Sequence, residues 1–525
     1  MSASMTGLMG GQQLTVRDIF ERMRTVYADG EVVDATGRTT YGALAERILR
    51  VVTVLHELGV QPGDRVATFA NNSAQHFELY YAVPLAGAVL HMVNIRLYEE
   101  QIAYVVDHAG DTVLIADDDL LGRVEPVVSQ CPQLRVVLTL SELAEKAAVA
   151  APTTELPELR EEDPAAMCYT SGTTGMPKGV VYSHRATYLH AMAACMSDHL
   201  ALTERDRVLP VVPLFHACGW GLPYAAPFTG AELVFAGADT SPENLGRLIE
   251  QERVTFAAGV PTIWNAVLPL AERGEFDVSS LRNLGIGGAA VPRPLMEAWD
   301  AVGVPILQIW GMTETAPLAC TSRPRRRHSG LDDAGLRDVR LKTGTIFSGL
   351  EARITAEDGT ELPWDGVTVG ELECRGPWVA TGYYNDSGLS AEKFRDGWLR
   401  TGDMAVMEPD GYFKIVDRSK DLVKSGGEWI PSLDLEAAVM SHPLVRECAV
   451  VAVRSRKWEE RPVAVIALVD DTAPTLAELH EHLRDRVAKW WLPDDIVVVD
   501  EIPKTSVGKF DKKVIRAQLA DRELP

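Results

Sequence analysis

The stretch of this 525-residue chain richest in potential chemistry is Thr170-Ser171-Gly172-Thr173-Thr174-Gly175-Met176-Pro177-Lys178-Gly179. Its hydroxyls and flexible glycines form a loop able to wrap phosphate oxygens with backbone N–H and side-chain O–H donors, and Lys178 adds a positive charge. A polar hairpin turn is the plain alternative, but the density of hydroxyls and glycines before a closing Pro-Lys-Gly favours phosphate binding. It is not a Walker A loop: Pro177 replaces the glycine before the lysine, and Gly179 replaces the metal-binding Ser or Thr. A second cluster, Gly285-Ile286-Gly287-Gly288-Ala289-Ala290, has the outline of a dinucleotide fingerprint. Pro292 and Pro294 follow at once, and position 305, where a ribose-binding acid belongs, is proline. Close approach of backbone to a ligand explains those glycines better than hydride chemistry does.

These loops need a scaffold, and the pattern around them supplies one. The phosphate loop follows the apolar run AAMCY and precedes VVYSH, so it links two strands. DRVATFA, AGAVLHMV, TVLIAD, LRVVLTL, RVLPVVP, AELVFAG and RVTFAAGVP are short β-rich runs separated by helical patterns, which predicts helix-flanked, mostly parallel sheets. From about Leu341 the texture turns to alternating residues broken by Gly, Asp and Pro, suited to antiparallel hairpins in a small β-barrel-like subdomain. After Asp417 a last segment carries its own helices (LDLEAAVMSH, LAELHEHLRDRVAKWW) and strands (ECAVVAVR, VAVIALV), enough for a small mobile α+β domain. The expected division is 1–12 as a tag-like or disordered start, 13–416 as the large domain and 417–525 as the small one.

Composition narrows the class. Hydrophobic residues make up 46% and charged residues 24%, as in a globular protein with a large core. The 51 basic residues against 74 acidic ones give a net charge of −23, so nothing draws the chain generally to nucleic acid or to anionic membrane. Anionic substrates would have to be held by local basic groups or a metal. Seven scattered cysteines, without a CxxC or Cys/His cluster, suit free thiols in a reducing compartment. No apolar run is long enough to span a membrane, and the first dozen residues carry no leader pattern. A cytoplasmic location is expected. No GxSxG elbow points to a serine hydrolase.

TSGTTGMPKG (170–179), WGMTET (310–315), TGD (401–403), DRSKDLVKSGGEWI (417–430) and PKTSVGKFDKK (503–513) stand in the order and spacing of one group of proteins. The chain resembles the adenylate-forming superfamily over nearly its whole length. That group holds acyl-CoA synthetases, aryl-acid ligases, luciferases and peptide-synthetase adenylation domains. HACGWGLPY, KSGGEWI and GPWVATGYY are most similar to medium- and long-chain fatty acyl-CoA synthetases. The resemblance implies an enzyme that joins a carboxylate to the α-phosphate of ATP, releases pyrophosphate, and passes the acyl group from AMP to CoA.

It also implies roles for individual residues. Thr170, Ser171, Gly172, Thr173, Thr174 and Lys178 match the loop that holds the β- and γ-phosphates, and Glu314 matches the Mg2+ ligand. Trp310 takes the place of the aromatic residue that stacks on adenine, with Gly311, Met312 and Thr313 beside it and Gly288, Ala289 and Ala290 as the adjoining wall. Asp403 matches the acceptor of the ribose hydroxyls, with Arg418 as its cationic companion. Lys509 matches the lysine that neutralises charge during adenylation. Asp417 takes the hinge position, and Gly427 the lining of the thiol tunnel after domain rotation. His216 matches the histidine near the acyl carboxylate, and Cys218, Trp220, Gly221 and Gly288 are expected around the acyl pocket.

Some positions depart from the fatty acyl pattern: Pro431, Ser348-Gly349 and Cys218-Gly219. They leave open which acid is bound and which acceptor is used. A small-molecule acid is the expected partner, homodimers are common among such enzymes, and nothing in the sequence marks a carrier protein. The alternatives are an adenylating enzyme with another acceptor (a carrier protein, or nitrite-dependent diazotisation of an aryl amine) and a non-catalytic nucleotide-binding regulator. The basic run Arg323–His328 reads as a solvated loop, with CoA phosphate binding as its sharper alternative.

Overall fold

A computed structural model describes residues 10–170, 176–425, 428–470, 472–505, 510–520 and 522–524. Ser171, Gly172, Thr173, Thr174, Gly427 and Lys509 lie outside the described residues. The strand–helix alternation is realised as two sheets. The first has the order Val136–Thr139, Asp111–Ala116, Arg65–Phe69, Val89–Met92, Pro164–Tyr169, Gly179–Ser183. Its first five strands are parallel, and the last is antiparallel to Pro164–Tyr169, with Tyr169 paired to Gly179 at the sheet edge.

In the second sheet Glu31–Asp34, Glu232–Val234, Arg207–Pro210, Phe256–Gly259, Asn283–Ile286 and Ile306–Gly311 run parallel. Beyond Ile306–Gly311 the pairing becomes antiparallel through Leu318–Thr321, Gly344–Ile346, Tyr412–Arg418, Trp398–Met407, Val369–Arg375 and Glu351–Thr355. The hairpin region expected after Leu341 is thus hydrogen-bonded onto the parallel strands as one path.

Helix Ala74–Leu85 shows why the two sheets hold together. Ser73 caps it by accepting from the His76 N–H, and almost every side chain on it is buried. A helix apolar on all faces has to sit inside a core rather than on a surface. On one side His76 meets Thr68 of the first sheet. On the other, the hydroxyls of Tyr80 and Tyr81 donate to the carbonyls of Leu214 (2.5 Å) and Pro223 (2.9 Å) in the segment leaving the second sheet. Helix Tyr41–Glu57 covers the outside with the one-sided pattern Leu44, Ile48, Val52, Leu55.

The last sheet pairs Glu459–Leu468 with Val445–Ser455, Val423–Ser425 and Asp495–Val499. Strand Tyr412–Arg418 still belongs to the second sheet, so the chain leaves that sheet just past Asp417. The helix expected to run from Leu476 to Trp491 stops at Leu483. Past it, the carbonyls of Trp490 (2.8 Å) and Leu492 (2.9 Å) and the Asp494 carboxylate accept from buried Arg461, which pins the segment after the helix to strand Glu459–Leu468.

Candidate active site

The carboxyl ends of four neighbouring parallel strands open on one cavity of about 1100 Å³. Arg207–Pro210 leads to His216, Ala217 and Trp220, and Phe256–Gly259 leads to Val260 and Pro261. Asn283–Ile286 leads to Gly287–Ala290, and Ile306–Gly311 to Met312, Thr313 and Glu314. Ligands of open α/β sheets bind at this end, where the loops are free to vary on a fixed frame. Thr170 and Lys178 reach the same cavity from the first sheet, and Asp403, Asp417 and Arg418 from the antiparallel extension. Residues far apart in sequence therefore share one wall.

At one end of the cavity, Thr170 and Lys178 meet each other. The Thr170 N–H donates to the Lys178 carbonyl (2.9 Å), and the Lys178 N–H donates to the Thr170 hydroxyl (3.2 Å). Across the cavity, Glu314 sits in a tight turn. Thr315 accepts from the Met312 N–H, and Tyr182 donates to the Thr313 carbonyl (2.6 Å). Glu314 is 5% exposed, and its Oε1 accepts a hydrogen bond of 2.6 Å from the Tyr383 hydroxyl. Burial first, then the charge of Glu314, pushes the Tyr383 phenol up, so the phenol stays the donor. Gly311 has no room for a side chain, because a Cβ would lie 2.0 Å from the Pro317 carbonyl.

Asp403 is fixed differently. Gly402 takes φ +75° within strand Trp398–Met407, where its pairing with Val369–Arg375 is irregular, and the cross-strand register sets Asp403 opposite Arg418. Arg418 Nε lies 2.7 Å from Oδ1, and the Trp310 indole N–H donates to Oδ2 at 3.0 Å. The Trp310 ring meets Phe413 edge-on at 5.8 Å, which holds its plane. Gly288, Ala289 and Ala290 are exposed to the cavity, and Gly288 at φ +85° is in the left-handed region that suits glycine.

The segment after His216 has an unusual backbone. Ala217, Cys218, Gly219, Trp220 and Gly221 have φ of 37°, 45°, 56°, 50° and 72°, a full left-handed turn. For the three non-glycine residues this costs about 1–2 kcal/mol each. Tyr80, Tyr81 and Asn72, which accepts from the Leu214 N–H at 2.8 Å, clamp the chain on either side. The turn presents Ala217 and Trp220 to the cavity, with the Trp220 ring against Gly287, where a Cβ would come within 2.9 Å of it.

Cys218 and Gly221, expected around an acyl pocket, do not line this cavity. The left-handed turn points the Cys218 thiol at Cys168 and Tyr182, and sets Gly221 against the His190 ring.

Asp417 is buried and accepts from the Ser432 N–H at 2.6 Å, the first residue of helix Ser432–Met440. Lys512 pairs with Glu436 (2.6 Å). Burial works against its ammonium, but Glu436 and Asp417 hold its pKa above the ordinary lysine value. Thr505 and Phe510–Lys513 line the cavity from the C-terminal side. The basic run Arg323–His328 is largely structural: Arg323 donates to the His199 carbonyl (2.5 Å), and Arg327 pairs with Asp410 (3.1 Å).

Tyr383 was not among the expected site residues. It stands in GPWVATGYY, a segment read only for its resemblance to fatty acyl-CoA synthetases. Only the contact with Glu314, 69 residues away in sequence, reveals it.

The model of the AMP-binding enzyme family matches residues 20–384, and that of the AMP-binding enzyme C-terminal domain matches 434–509. The chain belongs to the AMP-binding enzyme family. Among relatives of this AMP-binding enzyme, the long-chain-fatty-acid–CoA ligase of Thermus thermophilus is 43% identical over 97% of this chain and 96% of its own. The 3-methylmercaptopropionyl-CoA ligase of Ruegeria lacuscaerulensis is 38% identical over 98% and 99%. In three dimensions the anthranilate CoA ligase AuaEII, solved with anthranoyl-AMP, superposes with a TM-score of 0.88 at 26% identity, covering 96% of this chain and 97% of that one.

Proposed function

We propose that this enzyme is an AMP-forming acid–CoA ligase whose acid has an apolar acyl group of short to medium length, branched or aromatic. One observation carries the reading: a single cavity joins the neck of a phosphate loop, two buried carboxylates of different surroundings and an apolar recess floored by Trp220. The named activities of the relatives, all acid–CoA ligations, support the reaction class. Their acids range from long-chain to aromatic, so the acyl group is argued from the cavity. Its recess is formed by Ala217, Trp220, Val260, Pro261, Gly287 and Ile309, which suits an uncharged acyl tail.

In this reading Lys178 and the loop hold the β- and γ-phosphates of ATP, Trp310 and the Gly288–Ala290 wall enclose adenine, and Asp403 with Arg418 takes the ribose hydroxyls. His216 faces the acid, whose carboxylate oxygen attacks the α-phosphorus. The oxygen–phosphorus bond forms as the bond to pyrophosphate breaks, giving acyl-AMP. Lys509 is assigned to neutralise the charge that builds there. The CoA thiol then attacks the acyl carbon, AMP leaves, and the thiol proton passes to solvent. Asp417 is assigned as the pivot between the two steps, and Gly427 as a wall of the thiol path.

Among the described residues no group of three or more side chains could cage a metal, whereas Glu314 offers one hard oxygen ligand beside the phosphate loop. That donor set fits Mg2+, which keeps waters and binds through one or two carboxylates plus substrate phosphates. When bound, the ion would screen the phosphate charge.

No helix among the described residues is long and apolar enough to cross a membrane. A cytoplasmic setting and a homodimer remain part of this proposal.

Incubation with Mg-ATP, CoA and a panel of fatty, branched and aryl acids, read by mass spectrometry, tests it. The expected products are one acyl-CoA series and matching AMP. ADP in place of AMP would refute the reaction class, and AMP without a thioester would refute CoA as acceptor.

A further inference from the structure

We propose that Tyr383 is a positioning residue that sets Glu314 and Lys178 apart and aims both at the nucleotide; this rests on the reading of Glu314 as the metal ligand given above. Its segment braces both chemical corners at once. The Ala380 N–H donates to the Glu314 carbonyl and the Tyr384 N–H to the Gly179 carbonyl, each at 2.8 Å. The Trp378 indole donates to the Leu318 carbonyl at 3.3 Å. The loop is therefore tied to the turn that carries Glu314 and to the strand that leaves Lys178. From its end, the Tyr383 hydroxyl reaches Glu314 Oε1 at 2.6 Å, and the Lys178 ammonium lies 5.7 Å from the centre of the Tyr383 ring.

A lysine and a glutamate facing one cavity would gain from pairing with each other, and that pair would withdraw the cation from phosphate and the anion from metal. Tyr383 stands between them and prevents the collapse. A phenol is uncharged, so it orients the carboxylate without cancelling its charge. One O–H occupies a single lone pair of about four on a carboxylate, leaving the rest for a hard cation. The ring face offers Lys178 a weak hold that a phosphate readily outcompetes. Phe394 supports the ring edge-on at 5.3 Å, and the Tyr383 N–H donates to Ser390 at 2.8 Å, so the brace is itself held.

The test uses the full-length enzyme with ATP and no acid, Mn2+ replacing Mg2+ as the probe, and free Mn2+ followed by electron paramagnetic resonance. Tyr383→Phe keeps the ring and removes the hydroxyl, and its melting temperature checks the fold. Mn2+ binding to the enzyme–ATP complex should weaken about 10- to 100-fold, the usual effect of losing a partner that orients a metal ligand. In the Glu314→Gln background the same change should have no further effect. Tyr383→Leu, which also removes the ring, should weaken metal-free ATP binding about threefold where Tyr383→Phe does not, because Lys178 can then pair with Glu314. Unchanged Mn2+ binding in Tyr383→Phe, with a loss in Glu314→Gln, would overturn the role of Tyr383 and leave Glu314 as ligand. Unchanged binding in both would remove Glu314 itself. Equal ATP affinity in the Leu and Phe variants would refute the part played by the ring.

Discussion

Glu314 and Asp403 are both buried and border the same cavity, yet their surroundings differ. Asp403 is 2% exposed and Glu314 5%, so burial does not distinguish them. Asp403 meets a guanidinium on one oxygen and an indole N–H on the other. Its charge is balanced, and what it still offers is lone pairs for neutral donors such as sugar hydroxyls. Glu314 meets a neutral phenol, and among the described residues no ion pair reaches it. With no cation paired to it among the described residues, it is left to a cation that arrives with the substrate. In the proposed reading the same functional group serves as a hydroxyl acceptor or a cation ligand according to whether its partner is charged.

Exchanging charge for neutrality at each carboxylate should break this contrast in different directions. Glu314→Gln is expected to have the largest effect, lowering kcat for acyl-adenylate formation about 100-fold or more while leaving the preference for ATP over 2′-deoxy-ATP intact. Asp403→Asn leaves Arg418 without its anion and should raise the KM for ATP about 10- to 100-fold, with the Mg2+ requirement unchanged. Steady-state kinetics at varied Mg2+ with both nucleotides separates them; if each variant moved the other's readout, the division would fail. Trp310→Phe keeps an aromatic face but frees one oxygen of Asp403. It should raise the KM for ATP about three- to tenfold and narrow the discrimination against 2′-deoxy-ATP.

Trp220→Ala should leave ATP kinetics unchanged and extend the usable acids by several carbons, because the indole closes the recess against Gly287. Unaltered chain-length preference would move the floor of the pocket elsewhere.

A third buried carboxylate sharpens the rule from outside the site. Glu78 is paired with Arg47 at 2.5 Å, but burial outweighs the guanidinium and pushes its pKa up to about 7. Because the folded value lies above the unfolded one, its contribution to stability is full below about pH 4.5 and is lost as pH rises through 7. Glu78→Gln should therefore flatten the fall in melting temperature across that window and leave activity unchanged. A parallel fall in both proteins would show that Arg47 compensates the charge after all.

The sequence was most legible where local pattern and local structure coincide. The apolar runs on either side of the phosphate loop became adjacent strands, and the change of texture near Leu341 became antiparallel pairing. Legibility failed where a side chain's direction depends on backbone that composition does not encode. Cys218 and Gly221 lie in the right segment, yet five successive positive φ values turn them away from the recess while Trp220 enters it. Tyr383 was hidden for another reason, since its partner is remote in sequence and its type is common in cores. The helix expected to reach Trp491 ends at Leu483, and the segment beyond it is held by Arg461, a contact remote in sequence.

The account stands most directly on one transfer of an oxygen atom. With the acid labelled in its carboxylate by 18O, attack on the α-phosphorus leaves one labelled oxygen with the nucleotide when CoA displaces the adenylate. Mass spectrometry of the products should find AMP carrying one 18O and unlabelled pyrophosphate. Label in pyrophosphate or free phosphate, or none in AMP while acyl-CoA accumulates, would contradict activation of the acid as its adenylate.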